Sequence, residues 1–209
     1  MSRLLYIQAS PRGERSTSIA VADAFVDSYR RAHPADAVTR LNLFESDFPP
    51  FDGFALNAKY AVLSGLNHTP EEKAAWGQVA AVAEEFKSYD KYVLAAPMWN
   101  FSIPYKLKHY LDVLIQPGLT FSFSPESGYR GLVTGRPIFV ALARGGEYPP
   151  GSAAEAWDFQ SKYILTVLAF IGFSDIRVVM AEPTLGDPAL TAQRRAEAIA
   201  RAAGMAAVF

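Results

Sequence analysis

The hydrophobic pattern of this chain changes period several times. Five short apolar runs, Leu4 to Gln8, Val38 to Leu43, Tyr92 to Ala96, Ile138 to Ala143 and Ile176 to Met180, alternate with longer stretches of helical spacing. Continuous apolar runs of this length predict strands buried on both faces, the more polar second run excepted. Their alternation with helices predicts a parallel sheet with crossover connections. Ser18 to Arg30 puts Ile19, Ala22, Phe25, Val26 and Tyr29 on one helical stripe. Thr69-Pro70-Glu71-Glu72 opens a second helix that runs to about Lys87, with a capping threonine, proline in the first turn and acids at the positive end of the dipole. Further helices are predicted from Ile103 or Pro104 to Ile115, from Ala154 to Phe170 and from Pro188 almost to Phe209. Phe25, Phe86 and Tyr110 are core candidates. Phe44 to Asn67 and Leu119 to Gly135 match neither template, and ordered loops of that length usually carry a function. No repeat or linker interrupts the pattern, so residues 1–209 read as one domain.

In a parallel sheet of this kind ligands bind at the carboxyl ends of the strands, so the segments that follow the apolar runs hold the candidate chemistry. After the first comes Ser10-Pro11-Arg12-Gly13-Glu14-Arg15-Ser16-Thr17-Ser18, leading straight into a helix. Backbone N–H groups at a helix start carry partial positive charge and hydroxyls add donors, which suits a single phosphate. The plainer reading is a helix cap. After the third run comes Ala96-Pro97-Met98-Trp99-Asn100-Phe101-Ser102-Ile103-Pro104. A flat heteroaromatic ring would cover these apolar side chains while Asn100 met its polar edge; the alternative is a loop folded onto its own core. After the fourth, Ala143-Arg144-Gly145-Gly146 lets backbone approach a ligand and brings a charge nearby. A phosphate pocket and two walls for a planar ring describe flavin mononucleotide.

Other classes fall away on composition and motifs. Neither a G-x-x-x-x-G-K-[ST] loop nor a G-x-G-x-x-G turn follows the first strand. The absence of cysteine excludes disulfides, thiolate metal sites and a cysteine nucleophile, and fits a reducing compartment. His33, His68 and His109 show no metal-ligand spacing. A net charge of −1 gives no electrostatic footprint for nucleic acid or a membrane surface. The apolar stretch Ile164 to Phe173 is about half the length a bilayer requires, and Leu4 to Ile7 is too short for a signal peptide. A cytoplasmic location is expected.

Ser10-Pro11-Arg12 with Ser16-Thr17-Ser18, Ala96 to Phe101, Leu119-Thr120-Phe121 with Gly131-Leu132-Val133-Thr134-Gly135, and Arg144-Gly145-Gly146 together resemble the FMN-dependent NADH-azoreductases, also described as NADH:quinone oxidoreductases, of the flavodoxin-like superfamily. Order and spacing agree over nearly the whole chain. The resemblance implies an α/β, flavodoxin-like, five-stranded parallel sheet in the order 2-1-3-4-5 with helices on both faces. It implies that Ser10, Ser16, Thr17 and Ser18 hold the FMN phosphate and that Pro97, Met98, Trp99, Asn100 and Phe101 line the isoalloxazine. Ala143, Arg144, Gly145 and Gly146 then bind the pyrimidine end. It further implies a homodimer with flavin sites at the interface, where Phe101, Phe123 and Phe170 bind small aromatic acceptors. NADH or NADPH would be the donor, quinones and azo compounds the acceptors, and the flavin rather than an acid or base the reactive group. Ala143 stands where the family usually has Ser or Thr and Trp99 where it usually has Tyr, departures that bear on cofactor affinity and acceptor range.

The competing reading is a flavodoxin-type electron carrier, which uses the same cofactor and fold without its own NAD(P)H chemistry. Such carriers tend to be strongly acidic to dock on basic partners, which a net charge of −1 does not support. The two long unassigned segments suit a covered, dimeric substrate site better than a bare flavin edge.

Overall fold

A computed structural model describes residues 1–209. Its elements run β1 (Arg3–Gln8), α1 (Thr17–Ala32), β2 (Ala37–Asn42), α2 (Gly53–Ser64), α3 (Pro70–Lys87), β3 (Lys91–Pro97), α4 (Tyr105–Leu114), β4 (Phe121–Ser124), β5 (Gly128–Gly131), β6 (Pro137–Ala143), α5 (Phe159–Ile171), β7 (Asp175–Ala181) and α6 (Pro188–Met205). Five strands pair in parallel in the order β2-β1-β3-β6-β7, which over the sheet strands alone is the expected 2-1-3-4-5. β1 is followed in the chain by its neighbour on one side, β2, whereas β3 lies on its other side. The connections therefore diverge at the carboxyl edge between β1 and β3, the place where such sheets bind ligands.

Alternate strand residues feed two cores. On one face Leu4, Tyr6, Val93, Ala95, Phe139 and Ala141 pack under α1 and α6; on the other Leu5, Ile7, Leu94, Ile138, Val140 and Leu142 pack under α3, α4 and α5. Phe25 of α1 is fully buried, stacked on Phe139 with centroids 4.0 Å apart and met edge-on by Phe209 at 4.9 Å. No helix is long and apolar enough to cross a membrane.

Several sequence expectations need correction. Phe44 to Asn67 is not all loop, because it contains α2. Asp52 caps that helix through its carboxylate, which accepts from the N–H groups of Phe54 and Ala55, and Gly65 ends it in the left-handed region. The buried side of α2 is Ala55, Ala58 and Ala61, while Phe54, Tyr60 and Leu63 are exposed, so no large-residue stripe marks it. Leu119 to Gly135 contains the antiparallel hairpin β4–β5, with Phe121 opposite Gly131 and Phe123 opposite Tyr129. Ala154 to Phe170 divides into a short 3-10 turn, Ala153–Trp157, and α5, which Asp158 caps by accepting from the Ser161 N–H. The last helix likewise passes into a 3-10 turn at Ala206–Val208. β7 is only half buried along most of its length, because it is an edge strand rather than an interior one.

The hairpin is pinned where β5 ends. A Cβ on Gly131 would come within 2.3 Å of the Gly172 nitrogen, at the left-handed turn that stops α5, and the Val133 N–H donates to Ile171 O over 2.8 Å. Replacing Gly131 by Ala should push the hairpin off the end of α5 and cost about 1–3 kcal/mol in urea unfolding. Unchanged stability would mean that the two backbones separate freely. Phe25→Ala should cost about 3–5 kcal/mol, since the pocket between Phe139 and Phe209 is closed on all sides. The same unfolding midpoint measurement checks it.

Candidate functional site

At the start of α1 the backbone is left short of partners. Ser16 occupies the cap position with extended backbone, yet its side chain makes no capping hydrogen bond. Its hydroxyl lies 3.1 Å from that of Ser18 instead. The N–H groups of Thr17, Ser18 and Ile19 find no acceptor within the chain. Ser10, Ser16 and Ser18 are all buried. Helix starts normally satisfy such donors with a side-chain oxygen; here no side chain does so, and three donors are left open to an acceptor from outside the chain.

The segment after β3 turns sharply. Trp99 and Ser102 exchange two backbone hydrogen bonds of 2.9 Å, and the residues between them, Asn100 and Phe101, have φ of 45° and 68°. Positive φ at two successive non-glycine residues costs on the order of 1–3 kcal/mol each and persists only where the surroundings enforce it. The turn is tied down on several sides. Met98 N–H donates to Ala143 O over 2.7 Å, Phe159 N–H donates to Phe101 O over 3.1 Å, and the Gln160 side-chain amide donates to Ala96 O over 3.1 Å. Trp99 and Asn100 form one wall of an open cleft of about 740 Å³, with Phe51, Tyr105, His109 and Tyr163 around it. The phenol of Tyr163 is pushed up by burial, so it stays neutral across the physiological range.

Beyond β6, the amides of Gly145 and Gly146 have no partner inside the chain, whereas the backbone of Arg144 is fully paired and its guanidinium is enclosed. Its N–H donates to Ala181 O, and its carbonyl accepts from Thr184. The guanidinium is buried and lies 2.6 Å from Asp158 and 2.7 Å from Glu182. These are ion pairs by distance whose N–H directions miss the oxygens. Arg144 is thus not the nearby free charge expected from the sequence. Burial alone would raise the Asp158 pKa, but donation from Ser161 and the adjacent Arg144 outweigh it and hold the carboxyl below its usual range. A Cβ on Gly145 would sit 2.8 Å from the terminal carbon of Leu185, an exposed side chain that can swing aside.

The aromatic side chains expected over a ligand separate into two groups in the single chain. Phe101, well exposed, lies 5.6 Å from Trp157. Phe123 and Phe170 belong to a cluster with Phe121 and Tyr129 on the hairpin. Buried Asp158 and Gln160 and half-buried Glu182 are polar residues that the sequence pattern did not bring forward. The one available signal was Asp158 three residues before Ser161, a cap spacing hidden by placing the helix start at Ala154.

Comparison with known proteins agrees with this architecture. Residues 2–205 match the family described as flavodoxin-like fold. The FMN-dependent NADH:quinone oxidoreductase of Nitratidesulfovibrio vulgaris (strain DP4) is 54% identical, with 100% of each chain covered. A crystal structure of azoreductase from Bacillus anthracis str. Sterne superposes with a TM-score of 0.90 at 29% identity, covering 100% of both chains. An FMN-dependent NADH-azoreductase from Bacillus anthracis str. Ames Ancestor, in complex with FMN, gives 0.83 at 30% identity over 99% of this chain and 100% of that one. With an unpartnered helix start, a strained aromatic turn and a bare glycine pair all at the carboxyl edge of its sheet, the chain belongs to the flavodoxin-like family of FMN-dependent NADH:quinone oxidoreductases.

Proposed function

We propose that this protein binds FMN and with it passes two electrons from NADH to quinones, and in two successive rounds cleaves aromatic azo compounds to amines. The start of α1 carries the reading: three unpartnered N–H groups converge with buried Ser10, Ser16 and Ser18 where no side chain caps the helix. That donor set fits a single phosphate dianion. The Trp99–Ser102 turn and the open Gly145–Gly146 amides fit a planar ring with a polar edge.

FMN, when bound at these residues, would supply two-electron redox chemistry between a nicotinamide and the acceptor. The chain's own residues do the rest. Ser10, Ser16, Thr17 and Ser18 hold the phosphate, while Pro97, Met98, Trp99, Asn100 and Phe101 lie along the ring. The amides beside Ala143 and Arg144, those of Gly145 and Gly146, donate to the pyrimidine edge, where negative charge accumulates on reduction. No side chain need act as acid or base. Donor and acceptor use the same open face, so oxidised nicotinamide leaves before the quinone enters and the kinetics are ping-pong.

In this reading the protein is a cytoplasmic homodimer. The cleft beside Trp99 is open in the single chain, and apolar Phe54, Tyr60, Tyr105, Phe123, Tyr129 and Phe159 are exposed. A second copy would cover such surfaces and bring Phe123 and Phe170 towards the face that Phe101 leaves open.

Protein reconstituted with FMN should bleach on anaerobic addition of NADH and regain its visible absorbance with benzoquinone. Bound flavin that NADH does not bleach would instead indicate an electron carrier reduced by a protein partner. Parallel initial-rate lines at varied quinone would support the ping-pong order, and intersecting lines would refute it. Changing Ser16 and Ser18 together to Ala should weaken FMN binding about a hundred-fold, since two hydrogen bonds to a charged group are lost, with the fold kept. Undiminished affinity would place the phosphate elsewhere.

A further inference from the structure

We propose that the first turn of α5, Asp158-Phe159-Gln160, is a common anchor fixing the ring-lining turn and the glycine loop relative to each other, with Gln160, Asp158 and Arg144 as positioning residues. The inference rests on the flavin reading of the site.

Three consecutive residues reach both loops. Gln160 Nε2 donates to Ala96 O where the Trp99–Ser102 turn begins, and the Phe159 N–H donates to Phe101 O where it ends. The Phe159 N–H is one of the donors that α5 cannot satisfy within itself, and the helix dipole favours a carbonyl there. Asp158 caps the helix by accepting from the Ser161 N–H at Oδ1, while its Oδ2 accepts from the Ser161 hydroxyl and meets the Arg144 guanidinium at the root of Gly145–Gly146. Glu182 and the Met180 sulfur complete the surroundings of that guanidinium, tying in the end of β7. Because the Arg144 guanidinium is buried between Asp158 and Glu182, it acts on a ligand through where it puts the next two residues.

Gln160 argues for positioning over plain stability. Its side chain is fully buried and its Oε1 has no partner, a cost that an apolar side chain of the same shape would avoid. The compensating feature is its hold on Ala96 O. A residue kept for packing alone should lose stability and ligand affinity together when replaced; a positioning residue should lose affinity with stability little changed.

The full-length protein is purified as wild type, Gln160→Met, Gln160→Glu and Asp158→Asn. Amide exchange is followed in the flavin-free proteins and FMN affinity by quenching of flavin fluorescence. Gln160→Met should exchange faster at Trp99 and Ser102 than wild type, keep its Tm within a few degrees and bind FMN about ten-fold more weakly. Gln160→Glu should bind like wild type near pH 5, where the neutral acid can donate to Ala96 O. Measured against wild type at the same pH, which cancels the titration of the FMN phosphate at about pH 6, it should lose affinity as that acid ionises, at a pH raised by burial. Asp158→Asn should also speed exchange at the Thr184 and Leu185 amides, which donate to Arg144 O and Gly145 O; if it fails to fold, the Gln160 pair decides alone. Wild-type exchange and affinity in Gln160→Met, or equal losses in the two Gln160 variants at every pH, would overturn the anchor. Wild type that takes up no FMN would overturn the flavin reading and the anchor with it, whereas FMN uptake with unaltered variants overturns the anchor only.

Discussion

The reversal of strand order between β1 and β3 is the constraint on which the rest depends. Helices cover both faces of the sheet, so its interior has no room for a ligand or for unpaired backbone donors. At the carboxyl edge the connections from β1 and β3 leave in different directions. The gap between them is where donors can remain unpaired without being buried among apolar groups. The Thr17, Ser18 and Ile19 amides and those of Gly145 and Gly146 all lie at this edge. A ligand able to satisfy them needs an anion at one end and hydrogen-bond acceptors at the other, joined by something flat enough to lie along the Trp99–Ser102 turn. FMN meets these requirements, and so the division between a stable sheet and a receptive edge already specifies much of the chemistry.

Much of this was legible in the sequence because strong signals coincide. Five apolar runs reported the sheet strands, and Ser10 to Ser18, Pro97 to Phe101 and Ala143 to Gly146 were recognisable as segments following strands. What was lost was lost for physical reasons. α2 buries Ala55, Ala58 and Ala61 and exposes its large residues, so periodicity of bulky side chains says nothing about it. The β4 strand alternates Phe and Ser but is only four residues long, the shortest stretch over which alternation is informative. β7 lies at an edge, and its one outward sign within the apolar run was Arg177, which pairs with Asp175 beside it; only strand pairing shows that one side of the strand has no neighbour.

Arg144 shows a deeper limit. Beside two glycines after a strand, an arginine looks like a ligand contact, and sequence offers no way to see Asp158 and Glu182 folding in from distant segments. Their combined effect inverts the role of the charge. A guanidinium facing a ligand would add affinity for an anion, whereas one enclosed by two carboxylates adds rigidity and leaves recognition to neighbouring amides. Buried ion pairs are poor sources of net stability, since desolvation offsets most of the attraction. Their retention beside a loop that must present bare N–H groups is better understood as control of geometry.

The same logic is why the proposed function assigns no side chain as acid or base. When the reactive atoms belong to a bound ring, the protein influences the reaction through where that ring lies, what it can stack on and which donors meet its reduced form. Each of these is a matter of position. Strain at Asn100 and Phe101 is sustained because Ala143 and the start of α5 hold the turn from two sides. The energy invested there does no chemistry directly; it keeps a flat apolar surface turned outward that folding alone would bury. The exposed Phe101 and the cleft beside Trp99 are the cost of that arrangement to an isolated chain, and covering them by a donor, an acceptor or a second copy offsets it.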